Sequence, residues 1–304
     1  MDRMWVTGPE NYDADCLRAL EAEGSRVQAV VEAIEAAGDD STCRSCGSRD
    51  ELTDEHALSR RAGNIGRLVR GMIDYEASVA AGKVVWTAEK LQGGAKATSL
   101  CSRCNNSTGR WYNPAYIRLV DACKPFAVPN NAGKVCEVNV PVLHPQRVAK
   151  QALTSVLATS EAGVTARYPH LRELLLDAEA TRPLGPLRLW LYLQATPGGR
   201  SSGVVASIMT ATGVGRVLAE FAFWPLGWVL TFDDVAVNGA VEVSSWFEIG
   251  YHDKQPVVLA VPCQWVLTPN PADFRSSEAI LEERARREGL TLEQLIERYG
   301  GGPK

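Results

Sequence analysis

Two CxxC pairs, Cys43-Arg-Ser-Cys46 and Cys101-Ser-Arg-Cys104, constrain this chain more than any other feature. Two residues between thiolates suit a tetrahedral ion, and four thiolates close its coordination sphere, so the pattern predicts a structural Zn²⁺ site with no position left for a substrate. Such an ion would tie together segments far apart in the chain. The remaining cysteines, Cys16, Cys123, Cys136 and Cys263, share no spacing and are expected to pack as small buried hydrophobes.

Charge is distributed unevenly around these pairs. The formal net charge is −4 over 304 residues, but residues 1–42 hold three basic and ten acidic side chains, whereas residues 43–124 hold thirteen basic and eight acidic. A local basic island is what phosphate binding needs, and an acidic remainder farther away than a Debye length of about 8 Å does not cancel it. The same composition argues against a membrane protein: no stretch of about 18 apolar residues is free of charge. The chain also shows no secretory or lipidation signal pattern, and the expected location is the cytoplasm.

Between the two pairs stands Thr53-Asp54-Glu55-His56, and the second pair runs on into Asn105-Asn106-Ser-Thr-Gly109-Arg110. A zinc ion joining the pairs would bring Glu55 and His56 toward Asn105. That set combines a carboxylate oxygen and an amide oxygen, which suit a hard cation such as Mg²⁺ or Mn²⁺, with an imidazole able to take a proton. Phosphodiester hydrolysis asks for those parts. Arg60, Arg61, Arg67, Arg103 and Arg110 are candidate phosphate contacts, each with an alternative as ordinary surface charge. Asn105 has a second reading as the N-cap of the helix after the knuckle.

The ordered text CRSC, EHALS, Gly93-Gly94 and CSRCNNSTG resembles the HNH endonuclease (ββα-metal) family, in the subgroup written CxxC, EHxxP, Gly-Gly, CxxCNNxxG. The resemblance covers about 70 residues and implies a zinc-stapled β-hairpin and helix gripping one catalytic metal. It assigns His56 as general base and Glu55 and Asn105 as metal ligands, with Asn106 as the fallback ligand. DNA is the implied substrate, cut to 5′-phosphate and 3′-hydroxyl ends. One active site would nick unless the protein forms a homodimer. Stand-alone proteins of this kind with an appended domain look like phage-defence or restriction effectors, which would add protein partners. Two departures stand out: Ser59 replaces the proline, and the asparagine that commonly orients the histidine has only Thr98 or Ser99 in its place. Two rivals remain, a non-catalytic zinc-knuckle protein that binds nucleic acid, and a regulated component held silent by the acidic segment.

The whole chain reads as α+β. Residues 1–42 are expected to form one or two acidic helices, residues 43–124 the nuclease module, and residues 125–304 a domain of helices and an antiparallel sheet whose role is recognition, partner or signal binding. Helices are expected over 67–81, 145–159, 169–178 and the charged tail from Ser276, where Thr291-Leu-Glu-Gln reads as a helix start. Strands are expected at 84–87 and in six runs from about Leu187, among them VEVSSWFEI.

Overall fold

The computed structural model describes residues 14–62, 64, 67–74, 85–92, 96–209, 214–267, 271–274 and 276–299. Over these the protein is α+β, with seven α-helices and three sheets. The acidic segment winds into a single helix, α1 (Ala14–Ala37), because Val27, Val31 and Ile34 recur at helical spacing and all three are buried. Its polar residues reach the sheet as well: Arg26 Nη2 donates to Gly215 O at 3.0 Å, and Gly215 N donates to Glu23 Oε1 at 3.0 Å.

The middle of the chain is a hairpin within a hairpin. Strands β1 (Leu52–His56) and β4 (Lys96–Cys101) pair antiparallel, with a register irregularity at Thr53/Asp54. The connection between them contains a second antiparallel pair, β2 (Arg67–Asp74) and β3 (Val85–Gln92). The helix expected over 67–81 is therefore a strand as far as Asp74, and residues 75–81 lie outside the described residues. Eight cross-strand pairs, from Arg67↔Gln92 to Asp74↔Val85, are available to this segment as a strand and not as a helix. Pairing of this kind overrides a weak local propensity. The expected strand at 84–87 is found from Val85 onward.

Helix α2 (Ser102–Cys123) follows β4 without a linker. Strand β5 (Val135–Leu143) was absent from the expected elements, although Cys136, Val138 and Val140 alternate inward in the pattern of a half-buried strand. Helices α3 (Pro145–Ala158), α4 (Gly163–Arg167) and α5 (His170–Leu176) come next, then β6 (Arg188–Gln194), β7 (Gly199–Ser201), β8 (Val205–Met209), β9 (Val214–Phe223), β10 (Leu226–Thr231), β11 (Val241–Glu242) and β12 (Gln255–Gln264). These strands form one sheet in the order β5-β12-β6-β10-β9-β7, with β11 added to β6 and β8 to β9. It is antiparallel except between β12 and β6. The VEVSSWFEI run is a two-residue strand followed by a 3-10 turn, Ser244–Glu248. There Ser244 Oγ accepts from Leu189 N at 2.9 Å in place of a ladder carbonyl, and Trp246 and Phe247 turn into the core.

One apolar cluster joins side chains of α1, α2, α3 and the sheet. Two hydroxyl contacts fasten α2 into it: Trp228 Nε1 donates to Tyr116 OH at 2.8 Å, and Tyr112 OH donates to Leu175 O at 2.7 Å. Helix α3 lies between α2, β4 and the sheet, so every position except Arg147 is buried, polar ones included. At the C-terminus α6 (Ser277–Arg287) is capped by Ser276, and α7 (Leu292–Tyr299) opens with a reciprocal capping box, Gln294 N to Thr291 Oγ1 and Thr291 N to Gln294 Oε1. No helix among the described residues is long and apolar enough to cross a membrane.

The close approach of α1 to α4 depends on Gly163, where a Cβ would stand 1.6 Å from the Ile34 carbonyl oxygen. The neighbour is backbone and cannot swing aside, so Gly163→Ala is expected to destabilise the protein by about 3 kcal/mol, at the upper end for an overpacked site. Denaturant unfolding checks this, and an unchanged midpoint would show that α1 does not dock as described.

Candidate functional site

The first thiolate pair sits in a tight turn after α1. Cys43 N donates to Ser48 O at 2.8 Å and Gly47 N to Cys43 O at 2.6 Å, closing the loop around the two thiols. Gly47 occupies this turn at φ +72°, a conformation that favours glycine, and a Cβ there would also meet the Arg172 guanidinium. The second pair spans a strand-to-helix junction: Cys101 ends β4 and serves as the N-cap of α2, and Cys104 lies in that helix's first turn. Backbone links hold the two halves together, Arg44 N to Ser99 O at 2.9 Å and Cys101 N to Cys43 Sγ at 3.3 Å.

The four sulfurs lie within 4.8 Å of one another, and Cys46 Sγ and Cys101 Sγ are 3.9 Å apart. Four sulfurs each about 2.3 Å from a zinc ion would stand about 3.8 Å apart, so the spacing is that of a tetrahedral site. Cys43, Cys101 and Cys104 are buried, and Leu52, Leu100, Ala158 and Leu176 pack around the cluster. The thiols perturb one another strongly. The contact from Cys104, helped by backbone N–H groups of Cys101, Cys46 and Ser45, holds the Cys43 thiol down to about 4. That same contact and burial push Cys104 far up, and burial pushes Cys101 up. Cys43 and Cys104 are thus driven in opposite directions by their contact, a conflict that a divalent cation binding thiolates would remove. The cluster can hold a metal ion such as zinc.

Beside the cluster a cleft of about 420 Å³ opens between the segment leaving β1, Ala57 to Arg60, and one stripe of α2. The stripe is Asn105, Asn106, Gly109, Arg110 and Asn113, and α3 closes the far side with Gln151 and Thr154. Asn105 is half-buried and lies inside α2, so it is not the helix cap; Cys101 takes that position. Arg60 and Arg110 are exposed at the rim. Arg61 is exposed on the 3-10 turn Arg60–Ala62, and is not among the residues lining the cleft. Arg103 faces the cysteines instead, and its hydrogen bond to Cys46 raises its guanidinium.

Glu55 and His56 are the last two residues of β1, paired with Ala97 and Lys96 and directly preceding the cleft residue Ala57. For these two only the backbone is among the described features. Thr98 is exposed and pairs with Asp54, while Ser99 is buried and its hydroxyl has no partner among the described residues. Gly93 and Gly94 lie outside the described residues, as do the side chains of Arg67 and Cys16.

No model of a known protein family, no curated protein and no solved structure matches this chain. The chemistry of the site therefore rests on its own residues. Among the lining residues, Asn113, Gln151 and Thr154 were not singled out in the sequence. No local signal marks them, because the polar residues of α3 are mostly met inside the protein, as Gln146 by Ala180 O and Thr154 by Lys150 O.

Zn²⁺ added to metal-free protein is expected to bind at one ion per chain and to raise Tm. Cys43→Ser with Cys104→Ser should abolish both effects. Because ligands must lose their protons, affinity should fall as pH is lowered. Metal content by plasma emission spectroscopy and thermal melting read these outcomes, and equal binding by the double variant would refute the assignment.

Proposed function

We propose that this protein is a metal-dependent endonuclease of the HNH type, in which a four-cysteine zinc holds the fold and the adjoining cleft holds the scissile phosphate. The observation that carries the reading is the order of parts around one cleft. An antiparallel pair β1–β4 ends at Glu55-His56, and α2 starts at once after Cys101 and turns Asn105 into the cleft that begins at Ala57. A strand pair followed by a helix is the arrangement that the sequence resemblance leads one to expect, with β2 and β3 inserted in the hairpin.

In this mechanism His56 takes the proton from the attacking water, and Arg60 and Arg110 bind flanking phosphates from the rim. Glu55 and Asn105 would hold the divalent ion, Mg²⁺ or Mn²⁺, with Asn106 as the substitute. A carboxylate oxygen and an amide oxygen are hard donors of the kind these ions take. When bound, such an ion supplies charge stabilisation at the phosphate and the leaving 3′ oxygen. DNA is the substrate, and a place in phage defence or restriction, with protein partners there, follows from the resemblance alone.

The decisive assay incubates supercoiled plasmid with the full chain and Mg²⁺ or Mn²⁺. Nicked circles should accumulate, and a chelator should prevent it. His56→Ala should slow cleavage by about 100-fold or more, the usual worth of a general base, while Tm and zinc content stay as in the wild type. Cleavage retained by His56→Ala would sink the mechanism. Binding of DNA with no cutting in either ion would instead favour a zinc-stapled binding protein.

A further inference from the structure

The cleft is small, and that limits what can enter it. Its volume of about 420 Å³ falls near the low end of sites that take one small molecule, roughly 300 to 1,000 Å³. A cavity of that size takes a single nucleotide unit and not two paired strands.

Its lining is divided. The outer part carries the guanidinium groups of Arg60 and Arg110, suited to phosphate. The inner part carries the carboxamides of Asn113 and Gln151. Gln151 is 6 % exposed and its Nε2 donates to Ser155 Oγ at 3.4 Å, while its Oε1, like Asn113 Oδ1, is shielded from solvent and accepts no hydrogen bond among the described residues. A shielded acceptor without a donor is costly, and a carboxamide turns easily about its last torsion to meet one. Two unmatched oxygens call for N–H donors, and the edges of nucleobases supply them through exocyclic amino groups.

Gly109 stands in the interior of α2, next to Arg110 and one turn before Asn113. Glycine there costs helix stability, and a Cβ at this position would find no atom within 4 Å, so no packing demand explains its small size. The cleft-lining stripe passes through it. Glycine in such a place leaves room for close approach of a ligand to the helix backbone.

We infer that the cleft is a slot for one unstacked nucleotide, with the phosphate at Arg60 and Arg110, the sugar against Gly109, and the base edge on Asn113 and Gln151. This rests on the nuclease reading for its choice of nucleic acid, and it narrows the substrate to single strands or to sites where a base leaves the stack. Residues 105–113 and 151–154 then belong to one binding surface built from two helices.

The test compares a fluorescein-labelled single-stranded oligonucleotide with its own duplex by anisotropy, using the full chain without added Mg²⁺ or Mn²⁺. The wild type should bind the single strand more tightly. Gly109→Leu projects into the slot and should weaken that binding about tenfold or more, a loss of the size reported by one stacked base, with zinc content unchanged. Gly109→Ala should bind less tightly than wild type yet melt at the same temperature or higher, a combination that a purely structural glycine would not produce. Gln151→Leu should flatten the differences in affinity among single-base homopolymers.

Equal affinity for duplex and single strand, or wild-type binding by both Gly109 variants, would overturn the slot. Plasmid nicking is scored in parallel: cutting by wild type and by Gly109→Leu alike rejects the slot and keeps the nuclease, whereas slot binding without any cutting rejects the nuclease and keeps the slot.

Discussion

Four sulfurs held within 4.8 Å of one another set the terms for everything around them. Thiolates this close repel one another unless a cation stands among them, and their contact drives the Cys43 and Cys104 thiols in opposite directions. The cluster joins the turn after α1 to the junction of β4 and α2, two places 55 residues apart. A metal bound there would add free energy of folding on the order of 10 kcal/mol, comparable with the whole stability of an ordinary domain. The position of β1 against α2, and hence the mouth of the cleft, depends on that joint.

The joint alone would leave the cleft open at the back. Helix α3 closes it, and α3 is fixed by burial on nearly every side, by the sheet behind it and by α2 beside it. Lys150 illustrates the cost. It is fully buried in α3 and donates at 2.9 Å to the carbonyls of Asp177, Ala178 and Ala180, which secures the end of α5 while burial pushes its ammonium down to about 8. A second polar set, Arg200 with Glu220 and Tyr192, is buried on the other face of the sheet beneath Phe274. Lys150 is met by its three carbonyls, and Arg200 and Glu220 are paired charge to charge, as buried charges require.

Local pattern in the sequence decides the outcome where one periodicity dominates. The thiolate pairs, the helix through Ile34, the capping box at Thr291 and the strand runs of the sheet each carry a signal within a few residues. It does not decide where two outcomes compete. Arg67–Asp74 has spacing compatible with a helix, and only a partner strand across the hairpin turns it into β2. Ser244 breaks a run that looks like a strand, by lending its hydroxyl to Leu189.

By itself, then, the sequence determined the cysteine cluster, the basic island and the chemical types that Glu55, His56 and Asn105 offer, because spacing and side-chain chemistry are local properties. Only the tertiary structure decided that Arg60 and Arg110 flank the cleft while Arg103 turns to the thiolates, and that Asn105 lies within the helix instead of capping it. It alone brought Gln151 and Thr154 to the same cavity as Asn105, more than forty residues away along the chain. The reason is physical: which face of α3 meets a cavity depends on how α2, β4 and the sheet share its surface, and no residue of α3 encodes that on its own.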